Sequence, residues 1–347
     1  MTSPGALYHL ALRELHTVAN ATLAVANGWS VPLHYGAEAE EYAALRAAAV
    51  VMDRSSRSRF MVTGTDAEEV LSASFAGHLD ELEEGRAMRS VSLDERGEIR
   101  DLVLVARTGG IAYLVTGEPG QRGETLERLR SHVKPDFDVR IDDRTESTCT
   151  IAVVGPAAEQ VVREHLSDGL PERLQQLHSV TFEFHGFRTQ ATRTSDCGED
   201  GFELMLAPAV AQHVIETLVA AGVRLAGRAA AECARVESCI PAFSPDLESG
   251  LSPAEADIDL LLGIPGGRER WMLSAVLVEG GVVAAGTPVV IAGARAGEVR
   301  SCLYSHALRA AVALAAIESR LALPGTSLDL NGIPATIVAK PFYRRRT

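Results

Sequence analysis

Gly97-Glu98-Ile99-Arg100-Asp101-Leu102-Val103-Leu104-Val105 is the stretch whose reading decides the architecture. The residues before it, Asp94-Glu95-Arg96-Gly97, have turn composition, and those after it are aliphatic and β-branched, which predicts a strand entered from a tight turn. Side chains alternate along a strand, so Asp101, Val103 and Val105 share one face and Arg100, Leu102 and Leu104 the other. Apolar residues on both faces require cover on both sides. Asp101 therefore enters a buried strand with Arg100 directed away from it. A buried carboxylate without a partner is destabilising by several kcal/mol, or titrates up to ~3–5 units above its usual value of about 3.9. Groups of that kind gather where a cavity or ligand makes use of them. A polar residue at a wet strand end is the alternative, and this stretch alone leaves both open.

Outward from this strand, a pattern appears and then recurs. Phe60–Thr63 reads as a strand ending at Gly64, and Thr65 with Glu68 reads as a capping box for a helix through about Ser74. Strands near 88–93, 99–107 and 111–116 follow, then a helix near 120–132 and a strand near 137–141. From Cys149 the order returns. Thr150–Val154 is a strand, and Gly155-Pro156 opens a helix with proline at its first position. Strands near 180–185, 187–193 and 201–206 precede a helix from Pro208 to Ala221 that Gly222 stops. The expected class is α+β: two ferredoxin-like halves, about 59–141 and 149–225, each an antiparallel sheet with helices on one side. Paired halves leave a central cleft suited to a ligand. In front of them we expect a helix over 6–26, a turn-rich stretch from Gly28 to Gly36, and a helix from Glu38 to Val50. Behind them we expect a helix over 229–238, an irregular loop from Pro241 to Pro253, and, past about Arg270, short strands broken by Gly and Pro that close a small antiparallel β-barrel. The domain division is set at 1–265 and 266–347.

At 347 residues the chain suits about two domains. A net charge of −13 argues against nucleic acid as a partner, and Arg344-Arg345-Arg346 is read as a solvated tail. No apolar run approaches the ~20 residues needed to span a bilayer, and no leader segment is read at the N-terminus. Five cysteines without CxxC spacing fit free thiols in a reducing cytoplasm. Cys233 and Cys239 stand about 240° apart on a helical wheel, so no metal site is expected. Arg54, Arg57 and Arg59 suit either a carboxylate tail or a solvated face.

The order Gly28-Trp29, Pro32-Leu33-His34-Tyr35-Gly36, Gly97-x-Ile99-x-Asp101-Leu102, Gly198-Glu199-Asp200-Gly201-Phe202-Glu203, Arg235-Val236-Glu237, Leu323-Pro324-Gly325-Thr326 and Pro341-Phe342 resembles the aminomethyltransferase (T-protein) family of glycine cleavage. The resemblance runs from about residue 25 to the end. It implies a folate-type central cleft, tetrahydrofolate as cofactor, and transfer of a methyl or aminomethyl-derived carbon from a small methylated or aminomethylated donor. A lipoyl carrier protein is a possible further partner. By the same resemblance Asp101 is the catalytic acid, and Glu199 accepts hydrogen bonds from the pterin. Tyr35, Val115 and Arg228 complete the cofactor-binding set. The alternative is a non-catalytic folate-binding accessory protein of the YgfZ type, serving iron–sulfur enzyme maintenance.

This chain also departs from the family pattern. Ala231 stands where the T-protein has an arginine, Gly117 where it has an asparagine, and Asp196-Cys197 where it has Tyr-Thr. These changes imply a donor other than the aminomethyl-lipoyl arm of the housekeeping enzyme.

Overall fold

The computed structural model describes residues 7–345, apart from 167–173, 185, 265 and 267–268. Residue 6 of the expected first helix, residue 185 of an expected strand and Arg346 of the basic tail lie outside the described residues. The described chain divides into two compact units, one of residues 1–92, 101–195 and 199–231, the other of 93–100, 196–198 and 232–347.

The first unit opens with β1 (Tyr8–His9), α1 (Arg13–Val18), β2 (Thr22–Ala26), β3 (Trp29–His34), α2 (Glu38–Ala47) and β4 (Val50–Asp53). Here two expectations fail. The helix over 6–26 shrinks to α1, because Asn20 adopts φ +56 and Thr22–Ala26 alternates as a strand against β3. Asn27-Gly28, with φ +49 and +79, is the two-residue hairpin turn joining them, a signal the turn-rich reading of 28–36 passed over. The helix expected to reach Val50 ends at Ala47. Ala48 leaves helical geometry, and β-branched Val50-Val51 enters β4.

The first half follows as β5 (Ser58–Thr63), α3 (Ala67–Ser74), β6 (Ala87–Leu93), β7 (Ile99–Gly109), β8 (Ala112–Gly117), α4 (Arg122–Ser131) and β9 (Arg140–Asp143). Its sheet order is β6-β7-β8-β5-β9. The second half comprises β10 (Cys149–Val154), α5 (Ala158–His165), β11 (Ser179–Phe184), β12 (Phe187–Arg193), β13 (Gly201–Leu206), α6 (Pro208–Ala220), β14 (Arg224–Leu225) and α7 (Arg228–Glu237). Its sheet, β11-β12-β13-β10-β4-β14, recruits β4 from ahead of the first half. The two expected N-terminal helix signals are replaced: Asp66 is the N-cap of α3 with no side-chain capping bond, and α5 begins two residues after Pro156.

Each half buries one sheet face under its helices. Phe60, Val62, Val103, Val105 and Val115 pack beneath α3 and α4 with Val70, Leu71 and Leu129. Ile151, Val153 and Leu204 pack beneath α5 and α6 with Val162, Val214 and Leu218. Each such aliphatic side chain contributes about 1.5–3 kcal/mol on full burial.

The second unit contains α8 (Asp259–Leu262) and six strands: β15 (Trp271–Val278), β16 (Pro288–Ile291), β17 (Ala294–Ser305), β18 (Ala310–Glu318), β19 (Ser327–Asp329) and β20 (Pro334–Val338). They form a closed antiparallel barrel, β15-β18-β17-β16-β19-β20, as expected. Its core is Val276, Val289, Val299 and Ile317 with alternate alanines of β18. No described helix is long and apolar enough to cross a membrane.

Candidate functional site

Asp101 lies on β7 and is 1 % exposed. Thr125 Oγ1 on α4 donates to its Oδ2 at 2.6 Å, and the Glu118 backbone N–H donates to Oδ1 at 3.0 Å. Arg100 is turned to Asp94 at 2.6 Å, so the divergence of Arg100 and Asp101 read from strand alternation holds. Burial pushes the Asp101 carboxyl up to about 7, against the hydrogen bonds from Thr125 and Glu118 that favour its ionised form. Gly117, paired with Ser58 across β8 and β5, closes the niche: a Cβ there would stand 2.5 Å from Asp101 Oδ2 and 2.8 Å from Ser58 Oγ. Gly117 thus makes room for the Asp101 carboxyl.

Between the two halves lies a narrow slot of about 10 Å³, lined by Leu104, Ala106 and Thr116 on one side and Gln190, Thr192 and Glu203 on the other. These are the residues that alternate with the helix-packed set. Asp101 shares its face with Val103 and Val105, and Val115 is fully buried in that same core. Both are therefore directed at the helix layer and away from the slot.

Glu199 is buried and accepts from Arg46 Nη1 at 2.8 Å. Just ahead of it, Gly198 (φ +74) meets Ser238 so closely that no Cβ fits, which accounts for the glycine. The Tyr35 hydroxyl bonds His16 Nδ1 at 2.8 Å, and His16 Nε2 bonds Asp53 Oδ2 at 2.9 Å. Burial, then the charges of Asp53 and Glu41, raise the Tyr35 hydroxyl above its ordinary range. Arg228 is the half-buried first residue of α7. The structure thus brings Asp101 and Val115 onto one face of one sheet.

Three polar assemblies escaped the sequence reading. One is the Tyr35–His16–Asp53 chain, whose members are 19 and 37 positions from His16. The second is Arg59, fully buried, donating to Ser55, Arg57, Thr145 and Thr148 carbonyls and to Thr148 Oγ1 at 2.9 Å. Burial draws its guanidinium down to about 10. The third is Arg57, 9 % exposed, which donates to Glu203 Oε1 at 3.0 Å and lies 3.6 Å from Glu118 Oε1. A solvated face for Arg57 and Arg59 is excluded. The alternating Ser-Arg-Phe-Met-Val pattern of β5 was the available signal, since it put Arg59 inside a strand. Among the described residues no group of three or more His, Cys, Asp or Glu side chains is placed to hold a metal ion.

The GCVT N-terminal domain profile matches residues 12–264, and the glycine cleavage T-protein C-terminal barrel domain profile matches 270–344. Paired α+β halves followed by a closed barrel therefore define a glycine cleavage T-type scaffold. Aminomethyltransferase of Streptomyces avermitilis is 30% identical over 372 aligned residues, covering 99% of this chain and 100% of the relative. That of Thermotoga maritima is 28% identical, covering 96% and 97%. The structure of glycine cleavage system aminomethyltransferase T from Bartonella henselae superposes with a TM-score of 0.87 at 23% identity, over 98% of this chain and 99% of that one. The chain belongs to the aminomethyltransferase family, whose members are transferases.

Proposed function

We propose that this protein transfers a methyl or aminomethyl-derived carbon from a small methylated or aminomethylated donor to tetrahydrofolate, with Asp101 handling the proton. The observation that carries the reading is a carboxyl held at about 7 inside the family's N-terminal domain. Near neutral pH such a group is present in both protonation states, which is what a general acid–base residue needs. A C–N bond that breaks leaves an amine needing a proton, and Asp101 can give one and later recover it.

The donor set suits a folate. Asp101 and Glu199 are acceptors when ionised, matching the N–H-bearing edge of a pterin. When bound, tetrahydrofolate supplies amine nitrogens that receive the carbon. Access is the constraint, because Asp101 is enclosed. Thr125 Oγ1 must release Oδ2 before the carboxyl meets any ligand, and Thr125 sits one turn into α4. Thr125 is thus both the holder of the carboxyl and its cover.

A small donor is favoured over a lipoyl arm by Ala231, 3 % exposed, which supplies neither charge nor donors. The test follows methyl-tetrahydrofolate formation by the full chain with N-methylated amino acids and, separately, methylene-tetrahydrofolate formation with an aminomethylated lipoyl carrier protein. We expect turnover with a small donor and a fall of about 10²–10⁴-fold in Asp101→Asn. Undiminished turnover in that variant removes Asp101 from the reaction, and robust turnover with the carrier overturns the donor assignment.

A further inference from the structure

The barrel unit carries a groove of about 450 Å³ that is rich in arginine, although the chain as a whole has a net charge of −13. Arg270 at the head of β15 and Arg295 and Arg300 on β17 line it together with Trp271 and Glu298. Arg300 is the extra residue of a β-bulge: its neighbours Val299 and Ser301 pair with the consecutive Ala315 and Leu314 of β18. Bulges commonly re-aim a side chain, and this one sets a guanidinium in the groove wall with only 13% of its side chain exposed.

The charges there are unevenly matched. Glu298 serves two arginines, accepting from Arg300 Nη1 at 2.7 Å and from Arg295 Nη2 at 2.9 Å. Glu318, the other acid of the groove, is held by Arg320 at 2.7 Å. The Nε of Arg300 is buried and has no hydrogen-bond partner among the described residues. A buried guanidinium N–H left without an acceptor is rare and calls for an acceptor from outside the chain. Beside it, the Arg270 guanidinium lies 4.9 Å from the Trp271 ring centre, forming a flat cationic–aromatic surface.

We propose that this groove binds an aromatic anion, its ring against Trp271 and Arg270 and its carboxylate or phosphate on the Arg300 guanidinium. A charged acceptor suits an arginine fork better than a neutral one, because charge-assisted bonds are about twice as strong. The same chemistry is offered by the benzoyl-glutamate end of a folate and by a nucleoside monophosphate. The proposal stands on the barrel alone. Its test does not read Asp101, so either reading can fail without the other.

The chain has two tryptophans, so Trp29→Phe in the full-length protein leaves Trp271 as the only indole reporter. That protein is titrated with 4-aminobenzoyl-glutamate and, separately, with AMP, following Trp271 fluorescence. We expect saturable quenching, the tighter probe identifying the source, and about tenfold or greater weakening in Arg300→Gln. Arg295→Gln alters a side chain 65% exposed and leaves the bulge intact, so it serves if Arg300→Gln does not fold. It should weaken binding about threefold. No saturable quenching by either probe up to about 10 mM, or unchanged affinity in a folded Arg300→Gln, or in Arg295→Gln where Arg300→Gln does not fold, overturns the proposal.

Discussion

Replacing Asp101 by Asn should make the stability of this protein less sensitive to pH, in a direction and amount that follow from the niche. The carboxyl is lifted from 3.8 to about 7 in the folded chain, chiefly by burial. Between those values the folded state holds a proton that the unfolded chain has lost. Stability therefore falls as pH rises through that window, and the loss is complete above about 7. At 1.36 kcal/mol per unit the whole effect is roughly 4 kcal/mol, of which about 2.5 kcal/mol develops between pH 5 and pH 8. Asn keeps the shape and does not titrate. Its Oδ1 can still accept from the Glu118 N–H, and its Nδ2 can donate to Thr125 Oγ1 once that hydroxyl turns. Urea unfolding of wild type and Asp101→Asn at several pH values gives the difference in unfolding free energy, in which other titrating groups cancel. The variant should gain on wild type by about 2.5 kcal/mol between pH 5 and pH 8. A gap that stays constant with pH would falsify the assignment of a near-neutral carboxyl to this niche.

Three further outcomes follow from the same geometry. Glu199→Ala removes one member of a buried pair and leaves the Arg46 guanidinium in place, so chemical denaturation should show a loss of about 3–5 kcal/mol, reduced when Arg46 is also replaced by Met. Gly117→Asn pushes a Cβ into Asp101 and Ser58, and should destabilise by about 1–3 kcal/mol; a variant as stable as wild type in calorimetry would show that the niche yields. Arg59→Leu strips the donors from carbonyls at Ser55, Thr145 and Thr148, and amide exchange should quicken across 54–59 and 145–150 before it does elsewhere.

Much of the α+β architecture was legible because its signals are local. The β10, β12 and β13 strands and the helix opened by Pro208 show period-2 runs, Gly stops and Pro starts that act within a few residues. The failures come where a second local signal competes. Ala- and Glu-rich 38–47 has strong helix propensity, and that run conceals the switch to Val50-Val51, whose partners are Val154 and Val153 about a hundred positions later. No window of sequence contains that pairing. The β2–β3 hairpin is a different case. Asn27-Gly28 is visible, but the stretch before it fits a helix as well, because a run as short and apolar as Leu23-Ala24-Val25-Ala26 satisfies either period.

The candidate site shows where strand alternation stops being informative. A period of two sorts β7 into two faces and predicts correctly that Asp101 parts from Arg100, yet it does not say which layer each face meets. Val103 and Val105 are as apolar as Leu104 and Ala106, so composition along β7 cannot separate the helix-packed face from the slot-lining one. The distinction is carried by other strands. Thr116 on β8, Gln190 and Thr192 on β12 and Glu203 on β13 are polar at alternate positions; Thr116 pairs with Leu104 in one sheet, Thr192 with Glu203 in the other, and all of them line the slot with Leu104 and Ala106. A polar, alternate-position signal on partner strands thus marks the slot, while a lone acid on an apolar face marks a group held by the helix layer. By that rule Thr125, a buried hydroxyl on a helix facing an apolar sheet, is the residue whose partner has to be sought, and Asp101 is the only carboxylate on the facing stretch of β7. The chemistry proposed for Asp101 therefore depends on α4. Any ligand that uses this carboxyl must first compete with Thr125 for it.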